Sequence, residues 1–242
     1  MSADQLIAHT LEEGQQAIDS LASHSLRIAE LLAKTFPAKS LADVAKEMSP
    51  QMDKVTAATN PTCLALSEQV REEAAVAVGA FRAAEMWLRL KIPVVSDGNN
   101  FGVDVQNYAI SELDAMRKAM EAFMTCGKDY HWARAEGIEK LKAGCKADST
   151  TSESTETKDG KAEVKSTKSS SKTDSQTAGF NDYKQYLLNI DVKQYHTAYT
   201  SLTDIKNFYM RAHVLFAKNM KRLSDPRGEG EDGGRVHSMS MF

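Results

Sequence analysis

Apolar residues recur every three or four positions in four separate stretches of this chain. Leu11, Ile18, Leu21, Ser25, Ile28 and Leu32 trace the first, which runs into Phe36-Pro37, where proline disfavours helix at the residue before it. The second stripe, Cys63, Leu66, Val70, Ala74, Ala77, Phe81, Ala84 and Leu88, continues unbroken to Ile92-Pro93. Ala109, Leu113, Met116, Met120 and Phe123 repeat the same steps, and Tyr195, Tyr199, Leu202, Ile205, Tyr209, Ala212 and Phe216 do so near the end. No alternating strand pattern occurs anywhere. The stripes therefore predict an all-α four-helix bundle, with the alanines of the second helix permitting close approach and the tyrosines of the fourth requiring partners for their hydroxyls.

Three stretches break the pattern. Residues 147–178 contain 15 Ser or Thr among 32 and no aromatic, a composition that buries too little apolar surface to offset its ordering entropy; it reads as a disordered polar insert between the third and fourth helices. Between Lys34 and Pro61 three prolines punctuate the chain around a short helical piece, SLADVAKEM. The sequence after Pro226, GEGEDGGRVHSMSMF following Arg227, ends the last helix in glycine and closes on apolar Met239, Met241 and Phe242. The expected organisation is one bundle domain over 1–226 and a flexible tail over 227–242.

The formal net charge of -3 shows no basic field that would mark a nucleic-acid binder. Cys63, Cys126 and Cys145 are far apart and odd in number, which favours a reducing compartment, and no apolar run approaches the roughly 18 residues of a membrane span. A soluble, cytosolic protein is expected, with the nucleus left open. The histidines at 9, 24, 131, 196, 213 and 237 show no metal-ligand spacing, and Asp97, Asn99 and Asp104 lack the calcium-loop pattern. No nucleotide, metal or other cofactor and no catalytic group is read from the chain.

The stretch RLKIPVVSDGNNFGVDVQ, residues 89–106, is more specific than a helix connection requires. Pro93 stops the second helix, Asp97-Gly98 is a turn signal, and Asn100 suits an N-cap for a helix starting at Phe101, with Asp104 in its first turn. A short, ordered loop presenting Phe101 and polar side chains is a contact device or a well-capped turn.

The same residues resemble the activation loop of the 11S (REG) proteasome activators, where an I-P pair leads into D-G-N-N-F-G-V and a third helix begins near V-Q. The resemblance extends over most of the chain. LLAKTFPAKSLADV is similar to that family's first-helix end, DYHWARAEGIEKL to the end of its third helix, and DVKQYHTAYTSLTDIKNFYMRAHVLFAKNMKRLSDPRGE to its fourth helix with the P-R pair beyond. The resemblance implies a homo-heptameric ring with a central channel that caps the α-ring of the 20S proteasome without ATP. It gives Ser96, Asp97, Gly98, Asn99, Asn100, Phe101 and Gly102 the role of opening the gate. Met239, Ser240, Met241 and Phe242, with the terminal carboxylate, take the docking role. The long Gly-rich tail, the terminal Phe242 and the placement of the insert depart from that family's pattern. The competing reading is a helical oligomeric scaffold or adaptor without proteasome gating.

Overall fold

The computed structural model describes residues 2–37, 40–52, 59–95, 100–147 and 174–228. Among these, six helices account for the regular structure: α1 Ala3–Thr35, α2 Leu41–Met52, α3 Pro61–Leu90, α4 Phe101–Phe123, α5 Lys128–Ala147 and α6 Asp174–Ser224. No strand occurs among the described residues.

The chain forms two compact units, one from residues 1–38, 65–126 and 197–242, the other from 39–64 and 127–196. The first is an up-down-up-down bundle of α1, the body of α3, α4 and the C-terminal half of α6. Its antiparallel order is fixed by cross-helix contacts: Arg27 of α1 pairs with Glu73 of α3, Arg82 of α3 with Glu121 of α4, and Arg211 of α6 with Glu112 of α4. The Ser25 hydroxyl donates to the Lys206 carbonyl, joining α1 to α6. Every member of the second stripe is buried, as are Ile18, Leu21, Ser25, Ile28 and Leu32 of the first. Ser2 starts α1 with a capping box, its hydroxyl accepting from the Gln5 amide while the Gln5 side chain accepts from the Ser2 amide.

Two details of the helical pattern differ from expectation. The third helix, expected to continue into DYHWARAEGIEKL, is interrupted: the amides of Met124, Thr125 and Cys126 donate to carbonyls three residues back, and Gly127 turns the chain with φ 92. That dihedral lies in the left-handed region, which glycine enters without steric penalty. On α6, Tyr199 is exposed rather than on the buried stripe, and Ala198 and Ser201 face inward beside the expected Leu202. Tyr199 covers Phe36 edge-on at 5.4 Å between ring centroids, so the tyrosine serves as a lid over the end of α1. α6 also begins at Asp174, so the last residues of the expected polar insert are helical; residues 148–173 lie outside the described set.

The second unit is organised around a buried carboxylate. Asp191 has no solvent exposure and accepts from Asn60 Nδ2 at 2.8 Å, the Tyr130 hydroxyl at 2.8 Å and Arg134 Nε at 3.1 Å. Asn60 also caps the start of α3, its Oδ1 accepting the amides of Thr62 and Cys63. The Cys63 thiol donates to the Asp191 carbonyl, and burial pushes its pKa up to about 12, which keeps it an inert thiol. Around the node pack Val44 and Met48 of α2, Ile138 and Leu141 of α5, and Leu187 and Leu188 of α6.

Two stability outcomes follow. Asp191→Ala removes the buried carboxylate that Asn60, Tyr130 and Arg134 share and is expected to lower unfolding free energy by about 3–5 kcal/mol in urea titration. A loss below about 1 kcal/mol, the level of an exposed pair, would mean that the node is dispensable. His24 stacks on Tyr209 at 5.0 Å, and burial first, then the Arg27 charge, lowers its pKa against the opposing pull of Glu73. The unfolded chain therefore binds the proton more readily than the folded one. Stability is complete above the unfolded value of about 6.5 and falls as pH drops towards the lowered folded value. His24→Phe, which keeps the stacking, should lose less stability than the parent between about pH 7.5 and 5.5, the window around the free-histidine value.

Candidate functional site

Every described residue of the expected loop lies in the first unit, at the bundle end where α3 stops, α4 starts and α6 stops. Of the expected gating residues, Ser96, Asp97, Gly98 and Asn99 lie outside the described residues, as do the expected docking residues Met239, Ser240, Met241 and Phe242. Asn100, Phe101 and Gly102 are described.

The chain leaves α3 after Leu90 with two short turns, the Lys91 amide donating to the Leu88 carbonyl and the Ile92 amide to that of Arg89. Pro93, which has no amide to continue the helix, directs the backbone outward. Val94 and Val95 then stand 86% and 96% exposed, apolar side chains that no described residue covers. The chain re-enters helix at Phe101. Asn100 stands at the N-cap position, but its carbonyl rather than its side chain makes the capping bond, accepting the Asp104 amide at 3.0 Å. Asp104 lies in the first turn, where a negative charge meets the positive end of the helix dipole.

Phe101 is exposed, with the Arg222 guanidinium of α6 lying 5.0 Å from its ring centroid, a cation–π geometry that fixes the ring against the end of α6. Gly102 is buried directly beneath the first residues beyond α6. A Cβ at this position would overlap the Pro226 carbonyl oxygen and stand 2.6 Å from its Cα. Only a residue without a side chain lets the two backbones come this close.

Sequence reading missed two further residues. Gln106, fully buried one turn into α4, donates from Nε2 to the Lys91 carbonyl at 3.1 Å and to the Leu223 carbonyl at 2.8 Å. Arg227, just beyond α6, donates from Nη2 to the Val94 carbonyl at 2.7 Å. The signal for Gln106 was present, since it stands three residues before Ala109 on the third apolar stripe. A buried amide at such a position needs partners. Arg227 was marked only as half of the P-R pair beyond the fourth helix, with no sign of its acceptor. Together these contacts tie the entry to the loop at 91–94 and its exit at 100–106 to the segment 222–227 from which the tail departs.

At this end of the unit the described parts of the loop are anchored to the end of α6. Around the described part of the loop the polar side chains are the Gln106 amide, the Asp104 carboxylate and two guanidiniums, Arg227 on the Val94 carbonyl and Arg222 over the Phe101 ring. Among the described residues no group of His, Cys, Asp and Glu is placed to hold a metal ion. No helix among them is long and apolar enough to cross a membrane.

Comparison with known proteins gives a consistent answer. The family model described as "Proteasome activator PA28, C-terminal" matches residues 56–149 and 145–233. Human proteasome activator complex subunit 3 is 21% identical over 174 residues, which are 72% of this chain and 56% of the human protein, so the match spans little more than half of that relative. In fold the chain is similar to the 11S subunit of the Plasmodium falciparum proteasome, PA28, with a TM-score of 0.65 and 17% identity over 93% of each chain. It is also similar to a chain in the structure of an archaebacterial 20S proteasome–PA26 complex, with a TM-score of 0.58 and 15% identity over 99% of this chain and 100% of that one.

Gly102→Ala is expected to force the start of α4 and the end of α6 apart, lowering unfolding free energy by about 1–3 kcal/mol, the usual cost of overpacking. Amide exchange at residues 100–106 and 223–227 should quicken together. Unchanged stability and unchanged exchange would show that Pro226 does not press on this glycine in solution.

Proposed function

Because this chain belongs to the PA28 family of proteasome activators, we propose that it caps the 20S proteasome and opens its gate without ATP and without peptidase activity of its own. The subunits assemble as a homo-heptameric ring whose central channel meets the pore of the α-ring. Residues 96–102 press on the segments that close the pore, and the C-terminal residues 239–242 dock between neighbouring α subunits. The observation that carries this reading is the clamp at one end of the first unit, where Asn100, Phe101 and Gly102 are held against the residues that lead into the tail.

The chemistry of each part fits its role. The loop root presents Val94, Val95 and Phe101 to solvent on a backbone anchored at both sides, which suits a contact surface that must push without yielding. The tail after Gly228 contains Gly230, Gly233 and Gly234, a composition that costs substantial ordering entropy on docking. One tail then binds weakly, and several on one ring bind tightly, because the ring raises the effective concentration of each further tail. The terminal Ser-Met-Ser-Met-Phe offers apolar side chains and a carboxylate able to pair with a lysine. Self-association has exposed apolar surface to draw on within the first unit: Leu26, Val76, Met86, Tyr108, Met210 and Val214.

Two variants separate docking from gating. Purified parent protein is expected to raise hydrolysis of a fluorogenic peptide by 20S proteasome while cleaving none alone. Asn99→Tyr should stay a ring and co-sediment with the proteasome but lose most of the stimulation. Removal of residues 239–242 should abolish co-sedimentation at unchanged ring mass. A parent protein that forms rings but neither binds nor stimulates would leave the scaffold reading in its place.

A further inference from the structure

Gln106 and Arg227 make a connection that a loop and a tail acting separately would not require. Leu223 is the penultimate residue of α6, so its carbonyl has no amide four residues on within the helix; Lys91 lies one residue past the end of α3. A single primary amide carries two N–H donors, and Gln106 spends both on these two carbonyls, capping two helix ends at once. Its own Oε1 meets no donor among the described residues. The side chain therefore keeps an orientation that leaves one buried acceptor unpaired, and the two bonds made by Nε2 outweigh that loss. Arg227 completes the connection from the other side, reaching from the tail root to the Val94 carbonyl at the loop entry.

We propose that Gln106 and Arg227 are positioning residues that make the gating loop and the root of the docking tail one body, so that a docked tail sets the height of the loop above the gate. The inference rests on the activator reading above and adds to it a division of labour. The last residues of the tail supply affinity, whereas Gln106 and Arg227 supply none. They convert a docked ring into an opening one. Without them the loop can retreat from the gate segments while the tails remain seated.

The experiment separates occupancy from output. Maximal stimulation of 20S peptide hydrolysis at saturating activator and the half-saturating activator concentration are measured for the parent, Gln106→Met, Arg227→Met and Arg227→Lys, with ring mass checked for each. Gln106→Met keeps the side-chain volume while removing both N–H donors and the orphan Oε1. Arg227→Met lies outside the core, so it tests the idea even if the buried variant fails to fold. Arg227→Lys retains a cation that can donate to a carbonyl. The expected result for Arg227→Met is a fall in maximal stimulation of about tenfold or more, the scale of one charge-assisted hydrogen bond. Its half-saturating concentration stays within about twofold of the parent's, since the tail contacts that set affinity are intact. Arg227→Lys recovers part of the loss.

A general structural defect would instead raise the half-saturating concentration in step with the lost output, and that result would overturn the proposal. Full stimulation by Arg227→Met would overturn it too. Failure of the parent itself to stimulate would remove the activator reading, and this inference with it.

Discussion

The bundle end that presents the loop depends on two backbones lying closer together than side chains ordinarily allow. Gly102 has no Cβ, and Pro226 fills the space one would occupy. That single vacancy lets the start of α4 slide under the end of α6, which brings Gln106 within reach of the Leu223 carbonyl and places Arg222 over the Phe101 ring. Each of these contacts is directional, and none could form if the two segments stood a methyl group further apart. The apolar stripes hold the helices side by side but leave their axial offset loosely set, since hydrophobic burial has no preferred direction. The offset is set at the end, by hydrogen bonds to specific carbonyls.

The second unit solves a similar problem with a charge. Asp191 draws Asn60, Tyr130 and Arg134 to one point, so the start of α3, the start of α5 and α6 are pinned by three bonds to one side chain. A buried carboxylate with every partner in place is costly to assemble and specific once assembled. A leucine at the same position would pack, yet it would not dictate which residue of α5 stands opposite.

Much of this was legible in the sequence because hydrophobic period is a local property. The stripes from Ile18 to Leu32 and from Cys63 to Leu88 are buried as the spacing implies, and α1 ends at the Phe36-Pro37 pair. What was not legible depended on partners distant along the chain. Tyr199 fits the helical period of the fourth stripe, but its ring closes over Phe36 and stays half in solvent. The left-handed turn at Gly127 hid inside a stretch that otherwise reads as continuous helix. Gln106 and Asp191 left a trace as polar residues at apolar-stripe positions, whereas the P-R pair marked Arg227 but not its contact, because its acceptor is a backbone carbonyl 133 residues away. Residues 96–99 and 239–242 were singled out by motif and by chain end; of the neighbouring positions, Asn100 to Gly102 are held where the clamp can use them.

The clamp also determines what counts as a transplantable part. A graft of the contiguous stretch 89–106 onto another helical bundle would carry the loop's letters without its supports, because the Val94 carbonyl, one N–H of Gln106 and the open face of Gly102 would meet whatever that scaffold offered in place of Arg227, Leu223 and Pro226. The smallest portable module is discontinuous, made of the loop stretch and the end of α6, two segments that meet only in the folded state. Sequence drift in the last turn of α6 is thereby constrained by residues more than a hundred positions earlier, and homologous loops and tail roots should exchange between proteins as a matched set.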